Sequence, residues 1–150
     1  MSYLIDTNIL VRQTDASSPD RALCSRAVDR LIDGGCDLCI CAQVVIEFWS
    51  VSTRPQGVNG LGLTPRVASL QVADFKRTFL CLLEPPDMAD RWKNVADRHA
   101  VIGKQAHDAR LATIMLAHGV AHILTLNPGD FTRYSGITPI TPQEVLESLS

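Results

Sequence analysis

Tyr3-Leu4-Ile5-Asp6-Thr7-Asn8-Ile9-Leu10 is the stretch on which the fold of this 150-residue chain turns. Its first three residues are apolar, too few for a helix, and they run straight into a carboxylate, a hydroxyl and an amide. A short apolar run with an abrupt polar end reads as a buried strand whose functional groups stand at its carboxyl end. In open α/β sheets that end is where ligands sit. Asp, Thr and Asn are also good cap and turn residues, so the stretch reads equally as a strand followed by an Asx turn or helix cap. Acids elsewhere in the chain have to decide between the two.

Hydrophobic residues make up 46% of the chain and charged residues 20%, a balance that supports one packed core and argues against disorder. A single domain over residues 1–150 is expected. The formal charge of −2 argues against a protein that coats nucleic acid through a general basic field. A local basic rim around an acidic pocket remains compatible with it. With an odd number of cysteines, no secretory segment and no apolar run of roughly 18 residues, a reducing cytoplasm and no membrane span are expected. Cys36-x-x-Cys39 has no second pair at ligand spacing, and Cys39-Ile40-Cys41 lies in an apolar run. Cys24, Cys36, Cys39, Cys41 and Cys81 are therefore expected as small buried hydrophobes.

Beyond the opening stretch, Ser18-Pro19 predicts a helix cap with proline in the first turn. Leu23, Cys24, Ala27, Val28, Leu31 and Ile32 follow at helical spacing as far as Gly34-Gly35. Leu38–Cys41 reads as a second strand. Val44, Val45, Phe48, Val51 and Ser52 then form the inward face of a helix. Glu47, on that helix, either faces solvent with Ser50 and Arg54 or is a buried carboxylate that needs a partner. The glycine-rich Arg54–Gly62 segment lacks the order of a phosphate loop and is expected as a mobile flap or partner surface.

Thr64-Pro65 opens another helix, with Ala68, Val72, Phe75 and Phe79 inward, and Leu80–Leu83 reads as a third strand. Met88–Ala100 is an amphipathic helix with Trp92, Val95, Ala96 and His99 on one face, His99 being read as part of that face. A further helix starts near Ala106 and buries Leu111, Ala112, Met115 and Leu116. Asp108, in its first turn, either complements the helix dipole or faces inward with Leu111 and Ala112. His122–Leu126 is the fourth strand, leading into the turn Asn127-Pro128-Gly129-Asp130. Thr141-Pro142-Gln143-Glu144 is a capping box for a terminal helix through Leu149.

Strands alternating with helices predict an α/β fold with a mainly parallel sheet of four to five short strands. The carboxyl ends of parallel strands share one edge, where Asp6, Glu47 and Asp130 are expected. Asp108 precedes the last strand and, from spacing alone, is expected at the opposite edge. If all four meet, they cannot all stay ionised unaided: two carboxylates ~4 Å apart repel by about 4 kcal/mol at an effective dielectric of ~20. Either protons or a divalent cation must compensate, and an all-oxygen set selects Mg²⁺ or Mn²⁺. Such a site activates water and polarises a phosphoryl oxygen, the chemistry of phosphodiester hydrolysis.

Four segments taken in order carry a family resemblance: Leu4-Ile5-Asp6-Thr7-Asn8, the apolar helix with Glu47, His107-Asp108-Ala109-Arg110-Leu111, and Leu124-Thr125-Leu126-Asn127 with Asp130-Phe131. Together they resemble a PIN domain, and more narrowly the VapC-type toxin ribonucleases of bacterial toxin–antitoxin pairs. The resemblance implies a three-layer α/β/α fold in which the helix carrying Asp108 brings its acid to the shared pocket. It implies that Asp6, Glu47 and Asp108 form the Mg²⁺ site, with Thr7, Asn8 and Thr125 in support. The fourth position stays open between a neutral Asn127 and the carboxylate of Asp130, and with it a second metal. Also implied are endoribonucleolytic cleavage of RNA, a homodimer, and a VapB-type antitoxin lying in an apolar groove. The Arg54–Gly62 loop and the helix of Phe75 and Phe79 are candidates for that groove. Arg54, Arg66, Lys104, Arg110 and Arg133 are candidate RNA contacts.

Two other readings compete. A haloacid-dehalogenase-like phosphatase also opens on an apolar strand and a catalytic Asp, but it calls for a second acid where this chain has Asn8. A non-catalytic PIN scaffold that binds RNA or protein would be expected to have lost acids from the set.

Overall fold

Tyr3, Leu4 and Ile5 are each at most 7% exposed, as the residues of a strand covered on both faces must be. The structure is a computed structural model and describes residues 1–148. Strand β1 (Ser2–Ile5) is followed by helices α1 (Thr7–Thr14) and α2 (Arg21–Asp33), strand β2 (Asp37–Cys41), and helices α3 (Ala42–Thr53) and α4 (Pro65–Thr78). Next come strand β3 (Leu80–Leu82), helices α5 (Met88–His99) and α6 (Gln105–His118), strands β4 (His122–Leu124) and β5 (Thr138–Ile140), and helix α7 (Pro142–Ser148). The strands form one wholly parallel sheet in the order β3-β2-β1-β4-β5, flanked by helices in a three-layer α/β/α arrangement.

Leu4, Ile5, Ile40, Ile123 and Leu124 fill the sheet's faces, and Ile9, Leu10, Phe48 and Met115 from the helices close on them. The chain leaves β1 for β2 and β3 on one side and returns to β4 on the other. The strand order therefore reverses between β1 and β4. Just beyond the carboxyl ends of those two strands is where such a sheet opens a crevice.

Several elements differ from the sequence expectation. The chain enters α1 directly at Thr7, with Asp6 as its N-cap, so strand end and cap coincide. Ser18 caps nothing: its hydroxyl accepts from the Asp20 amide at 3.1 Å, closing a turn, and α2 begins only at Arg21. The capping groups of Thr64 and of the Thr141–Glu144 box are formed as expected. β5 contains Pro139, which an edge strand tolerates because its outer side needs no N–H. Cys81 is exposed rather than buried and Cys36 half-buried, while Cys24, Cys39 and Cys41 are buried. β3 is the other edge of the sheet, which leaves Leu80 and Cys81 uncovered. Leu116, expected inward, faces out at 46% exposure, just past the buried run that ends at Met115. The described part of the last helix ends at Ser148; Leu149 lies outside the described residues. No helix among the described residues is long and apolar enough to cross a membrane.

Candidate active site

β1 and β4 pair with Ile5 opposite Leu124, so the next residues, Asp6 and Thr125, arrive side by side at the carboxyl edge. Thr125 Oγ1 donates to Asp6 Oδ2 at 2.8 Å, and the Thr7 amide donates to Asp6 Oδ1 at 2.7 Å. Asn8 binds both strands: its Nδ2 donates to Asp6 Oδ2 and Thr125 Oγ1, each at 3.3 Å, while its Oδ1 accepts from the Leu126 amide at 3.2 Å. Thr125 Oγ1 also accepts from the Asn127 amide at 3.0 Å, which fixes the start of the turn that carries Asp130. Asp6 is 8% exposed, and its carboxyl is pushed up to about 6. Burial is the main cause. The bonds from Thr125 and Thr7 work against it, and the charges of Glu47 and Asp130 add to it.

Glu47 is half-buried and held at both oxygens. Gln43 Nε2 donates to Oε1 at 2.9 Å, and Thr7 Oγ1 donates to Oε2 at 3.0 Å. Thr7 thus bonds Asp6 through its amide and Glu47 through its hydroxyl, joining the two acids. Gln43, which sequence reasoning passed over, also donates to the His107 carbonyl at 2.9 Å and so ties the start of α3 to the start of α6. Its side-chain oxygen is buried without a partner. The available signal was its place one turn before Glu47 on the same helix face.

Asp108 lies on the same edge as the other acids, not on the opposite one. A helix that leads straight into a parallel strand must end at that strand's amino edge, so it starts at the carboxyl edge. The extra helix α5 between β3 and α6 does not alter that. The Asp108 carboxyl has no hydrogen bond among the described residues. It too is pushed up to about 6, by burial first and then by the charges of Asp130, Asp6 and Glu47.

These groups line one cavity of 600 Å³ that includes Asp6, Thr7, Asn8, Glu47, Asp108, Asn127 and Asp130. Asp130, on a short turn of 3₁₀ helix (Pro128–Asp130), is exposed there, as is Asn127 beside it. Among the described residues no three Asp, Glu, His or Cys side chains are gathered at metal-ligating spacing. The acids face one space without forming a closed cage. That suits a cation such as Mg²⁺, which keeps several waters and takes one or two carboxylates directly.

None of Arg54, Arg66, Lys104, Arg110 and Arg133 lines the cavity. Arg110 is paired with Glu84, its Nε donating at 2.6 Å, and Arg133 donates to Gln105 Oε1 at 2.8 Å. The cation that does line it is Arg12, four residues after Asn8 on α1 and not singled out from sequence. The Arg54–Gly62 loop contributes Asn59, Gly60 and Leu61 to the wall. It is not a loose flap. Gly60, Leu61, Gly62 and Leu63 amides donate to the carbonyls of Pro55, Val51, Arg54 and Ser52 at 2.8–3.2 Å.

The chain is similar to several solved structures, among them VapBC2 from Rickettsia felis bound to a DNA fragment from its promoter (TM-score 0.68, 16% identity, 94% of this chain and 98% of that one). A toxin–antitoxin complex from Klebsiella pneumoniae aligns with TM-score 0.65 and 18% identity over 93% of this chain and 97% of that one. VapC20 from Mycobacterium tuberculosis, a sarcin–ricin loop cleaving toxin, aligns with TM-score 0.61 and 15% identity over 81% and 86%. At these identities the likeness is one of fold. No curated protein matches the chain. The family model of the PIN domain matches residues 3–137, from the opening strand to the residue before β5. That span takes in every acid of the cavity, and the haloacid-dehalogenase reading falls away: the chain belongs to the PIN-domain family.

Proposed function

We propose that this protein is a divalent-metal-dependent endoribonuclease, the toxin of a VapBC-type pair. The observation that carries the reading is the single cavity at the strand-order reversal, lined by Asp6, Glu47, Asp108 and Asp130. Those four acids would hold Mg²⁺ or Mn²⁺, which when bound lowers the pKa of a water and polarises a phosphoryl oxygen. Thr125 and Asn8 fix the orientation of the Asp6 carboxylate, and Thr7 and Gln43 fix that of Glu47. Asp108 has no hydrogen bond to give up, so its oxygens are the least committed. Asn127 and Asp130 both line the cavity, and Asp130 is the one favoured as fourth ligand, because a carboxylate holds a hard divalent cation more strongly than a neutral amide does.

Toxin identity and a VapB-type antitoxin are supported by the fold shared with the Klebsiella pneumoniae complex and with VapC20. RNA as substrate is supported by VapC20, described as a sarcin–ricin loop cleaving toxin. A homodimer acting as one PIN unit per chain belongs to the same reading. The test is incubation of the purified protein with total cellular RNA, with Mg²⁺ or with chelator. Cleavage is expected only with the metal, and D6N and D108N should each lose at least about a hundredfold. Cleavage that persists in chelator or in both variants overturns the metal site. RNA binding without cleavage under any metal condition points instead to the non-catalytic scaffold.

A further inference from the structure

Only part of the acid cavity is acidic. Away from Asp6, Glu47, Asp108 and Asp130 it continues between α1, α3 and the Arg54–Gly62 loop, where its lining is Val11, Arg12, Asp15, Val51, Asn59, Gly60 and Leu61. Val11, Val51 and Leu61 are half-buried and make an apolar floor. Leu61 is fastened to that floor by its own amide, which donates to the Val51 carbonyl at 3.2 Å. Gly60 has no room for a side chain: a Cβ there would stand 2.0 Å from the Arg54 carbonyl oxygen. The wall is therefore built and fixed before any ligand arrives.

Arg12 stands at the edge of this arm. It is exposed, and no carboxylate lies within ion-pairing distance of it among the described residues, although Asp15 one turn on is near enough to feel its charge. Every other Arg or Lys among the described residues lies outside the cavity lining. An unpaired guanidinium beside a half-buried apolar floor, next to a group of acids, has the chemistry of a nucleotide subsite. The guanidinium takes a phosphate through two parallel N–H bonds, and the apolar floor takes the flat face of a base. A polyanion approaching a cavity lined by five carboxylates, Asp15 included, also needs a fixed positive charge to settle against.

We propose that this arm binds one nucleotide of single-stranded RNA adjoining the cleaved bond. Arg12 holds its phosphate and Leu61 supports its base. The assignment rests on the ribonuclease reading, but its test does not need cleavage. Binding of a single-stranded RNA oligonucleotide is measured without divalent metal for the wild type, R12A, R12K and L61A, over a range of salt concentrations. R12A should weaken binding about tenfold and reduce the slope of log affinity against log salt by about 0.7, the loss of one phosphate contact. R12K should restore the slope but not the full affinity, since an ammonium lacks the paired donors. L61A should weaken binding with the slope unchanged. If the wild type cleaves RNA, R12A should raise KM with kcat held within about threefold.

An unchanged salt slope in R12A overturns the subsite while leaving the ribonuclease reading intact. Wild type that neither cleaves nor binds RNA overturns both. RNA binding with the R12A slope change, but no cleavage, removes the ribonuclease reading and with it the placement beside a cleaved bond, leaving Arg12 as an RNA contact only.

Discussion

Asp6 caps a helix and offers a carboxylate to the cavity at the same time, and its surroundings explain how. It accepts three hydrogen bonds, from the Thr7 amide, Thr125 Oγ1 and Asn8 Nδ2, which leaves lone-pair capacity on a group with about four acceptor sites. Its pKa of about 6 in the fold lies above the ordinary 3.8. The folded state therefore holds this proton more tightly than the unfolded chain does. The stability it contributes is complete below about pH 4 and is lost as pH rises through 6. At pH 7 without metal, a charged Asp6 costs the fold about 3 kcal/mol at most. Thr125→Val removes the 2.8 Å side-chain hydrogen bond to that charge at nearly constant shape. It should raise the Asp6 pKa above 6 and destabilise the protein by about 1.5–3 kcal/mol at pH 7, and by clearly less at pH 5 where Asp6 is protonated. Urea unfolding at both pH values and a carboxyl NMR titration check this. An equal loss at the two pH values would mean that the hydroxyl acts through its bonds to Asn8 and the Asn127 amide and not through the Asp6 charge.

At the scale of elements, β1 and β2 were legible as short continuous apolar runs buried on both faces, and α3 and α4 by the helical spacing of their inward residues. What sequence spacing could not supply was the consequence of topology. α1 was hidden because Asp6-Thr7-Asn8 satisfies a turn as well as a helix start. The edge on which Asp108 sits followed from the direction of α6, which its own residues do not state. β5 is three residues long and contains a proline, so no run of alternating residues announced it. The Arg54–Gly62 loop was legible as glycine-rich but not as rigid, because its backbone bonds reach back to α3. That rigidity is testable. Gly60→Ala should cost about 2 kcal/mol or more, since the Cβ meets the Arg54 carbonyl. Gly57→Ala, three residues earlier, meets nothing within 4 Å and should stay within about 0.5 kcal/mol of wild type. Thermal unfolding of the two variants decides it, and equal losses would mean that the loop is not a fixed wall.

For the whole molecule, a net charge of −2 and a concentrated acid pocket place the burden of substrate binding on a few local groups. Of the cations named from sequence as RNA contacts, Arg54, Arg66, Lys104, Arg110 and Arg133, none lines the acid cavity; Arg110 and Arg133 bond Glu84 and Gln105, and Arg12 alone of the described basic residues lines it. Proximity in sequence carries little information about which surface charges share a pocket. The acids were more legible, because buried carboxylates are costly and must meet a partner.

That cost is also the most direct handle on the metal site. Calorimetric titration of Mn²⁺ into the protein at pH 7 and pH 5 opposes cation to proton on the same carboxylates. Asp6 and Asp108, both near 6, are mostly ionised at pH 7 and mostly protonated at pH 5. Binding at pH 7 should therefore weaken about ten- to a hundredfold at pH 5, and D108N should largely abolish it at pH 7. No binding at pH 7, or binding indifferent both to pH and to D108N, would contradict a divalent-metal site built from these acids.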